Sequence, residues 1–144
     1  MSENETTTKS PLGKLVWVAL LGLIPLAMLY FSKGENKSAQ LYQQHCANCH
    51  MDDGKGLKNL YPPLAGADYL LKHEAMLPCI IKHGVQGEMI VNGKQYNMAM
   101  PGNKSLSDVD ITNLINYIRN EWGNEHPHIP LNQVKQILEK CEHN

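Results

Sequence analysis

The sequence predicts an all-α domain preceded by one membrane-spanning helix, and three observations point that way. Apolar residues recur at three- and four-residue steps in Asp68–His83 and again in Ser107–Trp122, the spacing that places them on one face of a helix. The run from Leu15 to Phe31 contains no charged residue. Only Met89–Tyr96, with Asn92-Gly93 at its centre, reads as strand, turn and strand, so strands are confined to one small hairpin.

In chain order, residues 1–14 are polar, Thr-rich and of mixed charge, too poor in apolar groups to bury a core, and are expected to be a disordered tail. Residues 15–31 form the uncharged run, which as a helix spans roughly 25 Å and crosses a thin hydrocarbon layer. Trp17, Tyr30 and Phe31 suit the interfaces, Lys14 and Lys33 close the two edges, and Pro25 is a point for a kink. A cleaved signal peptide wants a basic start and small residues at its exit; here the start is partly acidic and the exit is Leu29-Tyr30-Phe31, so a retained signal anchor is the expectation. Lys9 and Lys14 on one side balance Lys33 and Lys37 on the other, so charge alone does not orient it. Residues 32–37 are a short polar linker reaching ~20 Å at full extension, which keeps the following domain, 38–123, near the membrane surface.

That domain opens with a helix capped by Asn36 or Ser38, running through Leu41, Tyr42 and His45 into Cys46-Ala47-Asn48-Cys49-His50. Two thiols three positions apart with an imidazole directly after the second is the spacing for covalent attachment of haem c, in which both sulfurs add to the vinyl groups and the histidine binds iron. A zinc ribbon needs a second such pair and a thioredoxin-like site needs a βαβ setting; neither is visible. His45 is expected to be an exposed polar residue. Asp52-Asp53-Gly54-Lys55-Gly56 reads as a loop and Tyr61-Pro62-Pro63-Leu64 as a rigid turn. Pro78 must bend or divide the helix over 68–83, which Gly84 ends. After the hairpin, Met98 and Met100 are thioethers able to fill the second axial position; His73 and His83 are alternatives that would make it bis-histidine. Ser107-x-x-Asp110 resembles a capping box with Asp for Glu and opens a helix with Ile111, Leu114, Ile115, Ile118 and Trp122 on one face, ending at Gly123. Residues 124–144 form an extension with a short amphipathic helix around Val134, Ile137 and Leu138.

From about Ser38 to Trp122 the sequence resembles the class I cytochrome c family, through Cys46-to-His50, Pro62-Pro63-Leu64, Met100-Pro101 and the helix opened by Leu106-Ser107-Asp108. Within it the chain is most similar to small membrane-anchored monohaem cytochromes of bacterial respiratory chains, through Tyr61-Pro62-Pro63-Leu64-Ala65-Gly66 and Tyr96-Asn97-x-x-Met100-Pro101. The resemblance implies helices packed around one covalent haem, with the last helix crossing the first beside it and Tyr42, Tyr117 and Ile118 in contact there. It implies Met100, before a proline, as the axial thioether, with Met98 in the pocket or core. It implies Pro62 as the carbonyl that accepts from His50 Nδ1, and Leu64 as the apolar contact on the ring. It also implies export, since haem of this type is attached outside the cytoplasmic membrane.

Net charge is −1 with signs mixed, and one Phe and two Trp offer few stacking platforms, so nucleic-acid binding is excluded. Of four cysteines, two belong to the motif; Cys79 and Cys141 are expected to be free thiols, with a disulfide the alternative in an oxidising compartment. With both axial positions filled by protein the expectation is an electron carrier with no small-molecule substrate, exchanging electrons with redox proteins at the membrane and touching lipid through 15–31. Lys55, Lys58, Lys94 and Lys104 are candidates for steering an acidic partner, offset by Asp52, Asp53 and Glu88. A haem subunit of a larger membrane complex, and a sensor or peroxidase-like enzyme that opens when Met100 leaves, are the competing functions.

Overall fold

The computed structural model describes residues 36–141. The expected tail over 1–14, the membrane helix over 15–31 and the start of the linker lie outside them; among the described residues no helix is long and apolar enough to cross a membrane.

Helix α1, Lys37–His45, starts where Asn36 accepts from the Ser38 backbone at 3.1 Å, the cap expected from sequence. It stops at Cys46, and a single turn, α2 (Ala47–His50), carries the rest of the motif. Met51, at a left-handed φ of 63°, then turns the chain away. Tyr42 is wholly buried and donates its hydroxyl to the Met51 carbonyl at 2.6 Å, tying α1 to the end of the motif.

Helix α5, Asp108–Ile118, is opened by the expected capping box: Asp110 N–H donates to Ser107 Oγ and the Ser107 N–H donates back to the Asp110 carboxylate. Its Ile111, Leu114, Ile115 and Ile118 are buried, and it packs on α1 and on the last helix, α6 (Leu131–Cys141). At about 1.5–3 kcal/mol per buried aliphatic side chain, this one face outweighs solvent-screened surface ion pairs such as Lys55–Asp53. Tyr42 meets Tyr117 at 5.6 Å and Trp122 at 4.9 Å between ring centroids, at the crossing of α1 and α5.

The expected helix over 68–83 is three pieces: α3 (Tyr69–Lys72), one 3₁₀ turn (Glu74–Met76) and α4 (Leu77–His83). The break falls at His73 rather than at Pro78. Pro78 lies in the first turn of α4, where its missing N–H costs no hydrogen bond, so it starts a segment instead of kinking one. Gly84, with φ 84°, ends α4 as expected. Helix α5 also stops short of Gly123. The Ile118 carbonyl is taken by Asn124 Nδ2 at 2.7 Å, and Trp122 and Gly123 both adopt positive φ.

The hairpin forms as read, β2 (Met89–Val91) against β3 (Lys94–Tyr96), with Asn92 and Gly93 both left-handed as this turn requires. The all-α expectation needs one correction beyond it. Gly84–Val85 (β1) pairs antiparallel with Met100–Pro101 (β4), two dipeptides too short to carry a strand pattern in sequence.

The extension folds back as α6, burying Val134 and Leu138 against α4 and α5, while Asn116 exchanges hydrogen bonds of 2.8 and 2.9 Å with the Ile129 backbone. This packing corrects the reading of free thiols: Cys79 on α4 and Cys141 at the end of α6 are disulfide-bonded, their Cα atoms 5.8 Å apart. Residues separated by 62 positions meet because two helices lie side by side, which no local pattern records.

Candidate functional site

Cys46, Cys49, His50, Pro62, Leu64 and Met100 all line one crevice. Helix α4 supplies Leu77, Ile80 and Ile81 to its walls, α5 supplies Leu114 and Ile118, and the hairpin supplies Met89, Val91 and Tyr96. Asp, Glu, Lys and Arg are missing from the lining.

His50 is 9% exposed and its Nδ1 donates to the Pro62 carbonyl at 3.0 Å. A carbonyl only accepts, so the ring proton sits on Nδ1 and the Nε2 lone pair is left for a metal. Burial pulls the imidazole below its ordinary pKa, more than the Pro62 bond pushes it up, and so favours the neutral, ligating form. Burial, helped by Cys49, pushes the Cys46 thiol up to about 11. No group of three or more His, Cys, Asp or Glu able to hold a metal occurs among the described residues. Two cysteines without a disulfide between them, an imidazole whose Nε2 is free of the Pro62 bond, and an apolar cleft fit a covalently held haem.

The chain around the site is fixed by close backbone approaches. Gly56 donates to the His50 carbonyl at 3.0 Å, and a Cβ at this glycine, φ 67°, would run into the Pro62 carbonyl. The Gly54 carbonyl accepts from both Leu64 and Ala65, at 2.7 and 2.9 Å. On the methionine side, Val85 pairs with Met100 in the β1–β4 ladder, and a Cβ on Gly102 would strike the His83–Gly84 backbone. Asn103 continues the attachment, donating from its backbone to the Ile81 carbonyl at 2.9 Å and from Nδ2 to His45 Nδ1 at 3.1 Å.

Met98 also lines the crevice but is 49% exposed, whereas Met100 is half-buried and held by the ladder. Neither His73 nor His83 lines it; His73 stacks on Tyr69 at 4.0 Å. His45 is exposed, as expected. Among the lysines considered for steering, Lys55 pairs with Asp53 at 2.8 Å and Lys94 reaches the Lys58 carbonyl at 3.0 Å. Sequence reasoning missed Gly102 and Asn124. A glycine two residues after a candidate ligand was the only signal for the first, and the second carried none.

The cytochrome c family model matches residues 36–122. Cytochrome c-552 of Thermus thermophilus is 37% identical over 89 residues, which is 59% of this chain and 67% of that protein. A second cytochrome c-552 of the same organism is likewise 37% identical over 89 residues, 60% of its length. The cytochrome c subunit of a quinone alcohol dehydrogenase from Gluconobacter oxydans is 35% identical over 96 residues, covering 64% of this chain but 20% of that subunit.

Proposed function

We propose, from the premise that this chain belongs to the cytochrome c family, that it is a closed one-electron carrier with iron held between His50 and Met100. The coarser statements follow from the family itself: the chain is an electron-transfer cytochrome with one haem c bound covalently through Cys46 and Cys49. The haem supplies the iron that takes up and gives back the electron. The protein does the rest. His50 would bind through Nε2 because Nδ1 is committed to Pro62, Leu64 lines the same crevice as its apolar neighbour, and the β1–β4 ladder presents Met100. The apolar walls hold water away, and a Met100 thioether as second ligand would favour a higher potential than a second histidine. The observation that carries this reading is the 3.0 Å bond from His50 to Pro62 inside a crevice that Met100 also lines.

With His50 and Met100 both bound to the iron there would be no open position for a small-molecule substrate, which is the basis for reading the chain as a carrier rather than an enzyme. Its uncharged run over 15–31 supports a membrane anchor, with residues 32–37 as the tether and the haem domain on the periplasmic or extracytoplasmic side. Its partners are then redox proteins of the same membrane, a respiratory donor and a terminal reductase, oxidase or dehydrogenase. The second reading, a haem subunit of a larger redox complex, is favoured by the likeness to cytochrome subunits of quinone alcohol dehydrogenases.

One preparation tests both. The reduced protein, extracted from membranes, is expected to leave carbon monoxide unbound and to purify without stoichiometric partners. Carbon monoxide binding at neutral pH would contradict the closed carrier and favour the sensor or peroxidase-like function. Retention of stoichiometric partners would favour the subunit.

A further inference from the structure

We infer that Asn124, which lies outside the crevice and beyond the family match, is a positioning residue for the iron-binding histidine; the inference rests on the reading of His50 as ligand. Asn124 is 5% exposed, and both its amide hydrogens and its Oδ1 are hydrogen-bonded. Nδ2 donates to the Leu64 carbonyl at 2.9 Å and to the Ile118 carbonyl at 2.7 Å, while Oδ1 accepts from the Gly66 N–H at 2.8 Å. Two of these three bonds hold the Leu64–Gly66 segment. The opposite side of that segment is held by the Gly54 carbonyl, which takes the Leu64 and Ala65 N–H groups.

What lies between this clamp and the histidine is short and stiff. Pro62 accepts from His50, and both Pro62 and Pro63 have φ fixed by their rings, so the placement of Leu64 is passed to the Pro62 carbonyl with little slack. The Ile118 bond anchors the clamp to the end of α5. Asn124 thereby sets how well the Pro62 carbonyl meets Nδ1–H. A well-made bond there makes the imidazole a stronger donor and favours oxidised iron; a loosened one raises the reduction potential.

The test uses the full-length holoprotein with Asn124→Asp, which keeps the shape but loses the amide donors, and Asn124→Ala. Asn116→Ala is the reference: it removes the pair of bonds to Ile129 without touching Leu64–Gly66. Two quantities are read, the reduction potential and the solvent exchange of the His50 Nδ1 proton by NMR in the reduced protein. Both Asn124 variants are expected to raise the potential and to speed exchange about fivefold or more, the factor for one weakened hydrogen bond. Asn116→Ala is expected to lose stability and change neither.

Unchanged potential and exchange in Asn124→Asp, or equal changes in Asn116→Ala, would overturn the inference and leave Asn124 a structural residue. If Asn124→Ala does not fold, Asn124→Asp decides alone. Iron-shifted ring signals of His50 in the unmodified oxidised protein separate the two levels of the argument. Their presence with no effect at Asn124 overturns the positioning role only; their absence overturns the ligand reading and this inference with it.

Discussion

Serine at both Cys79 and Cys141 is expected to lower the unfolding free energy of the holoprotein by about 4 kcal/mol, the chain-entropy value for closing a loop of this length. The bridge spans 62 positions and joins α4 to α6, so it restricts over a third of the chain in the unfolded state. Val134 and Leu138 also hold α6 on the domain, so the native fold is expected to persist without the bridge and the loss to fall mainly on the unfolded side. Denaturant titration of parent and double variant in the oxidised form checks this. A loss below about 1 kcal/mol would mean that the two sulfurs are not bridged in the native protein or that the unfolded chain is already restricted there.

Arg119→Met has the next largest expected effect, about 3 kcal/mol of lost stability. Arg119 is fully buried; one guanidinium nitrogen donates to the Leu70 carbonyl at 2.8 Å, and the other to the Pro127 carbonyl at 3.1 Å and the Glu74 carboxylate at 2.7 Å. Methionine keeps most of the volume but leaves two carbonyls and a carboxylate without that donor. The buried Leu70 carbonyl left without a donor costs about 1–3 kcal/mol, and the carbonyl of exposed Pro127 adds less because water reaches that residue. Glu74 is a third exposed and turns to water, so its share is small. Glu74→Gln keeps an acceptor but removes the carboxylate that faces a fully buried guanidinium, so it is expected to cost about 1–3 kcal/mol by itself. Denaturant midpoints of the two variants check the pair; an Arg119→Met protein within about 1 kcal/mol of the parent would contradict this account of the buried guanidinium.

What the sequence made legible was local. Cys46, Cys49 and His50 lie within five positions, Asn92-Gly93 requires only its own two dihedrals, and the Ser107–Asp110 box closes within one turn. Long-range features were not legible from the residues themselves. The Pro62 carbonyl was placed against His50 only through the family resemblance, and the structure puts the two 3.0 Å apart. The disulfide, the Arg119 contacts and the Asn124 clamp all join segments that only packing brings together. Helix ends failed for the same reason: α5 stops at Ile118 because Asn124, six positions on, takes its carbonyl, whereas the glycine at 123 suggested a later end. Pro78 predicts a bend or division because ring and backbone clash inside a helix, yet in a first turn the same ring is accommodated. The β1–β4 ladder depends on Gly84 and Gly102 lying against each other's backbone, a demand of the crossing and not of either segment alone.

The closed His50/Met100 carrier is tested most directly by the visible spectrum of the oxidised protein, native and with Met100→Ala or Met98→Ala. The weak long-wavelength sulfur-to-iron band is expected in the native protein and in Met98→Ala, and is expected to vanish in Met100→Ala. Its absence from the native protein, or its survival in Met100→Ala, would contradict the assignment.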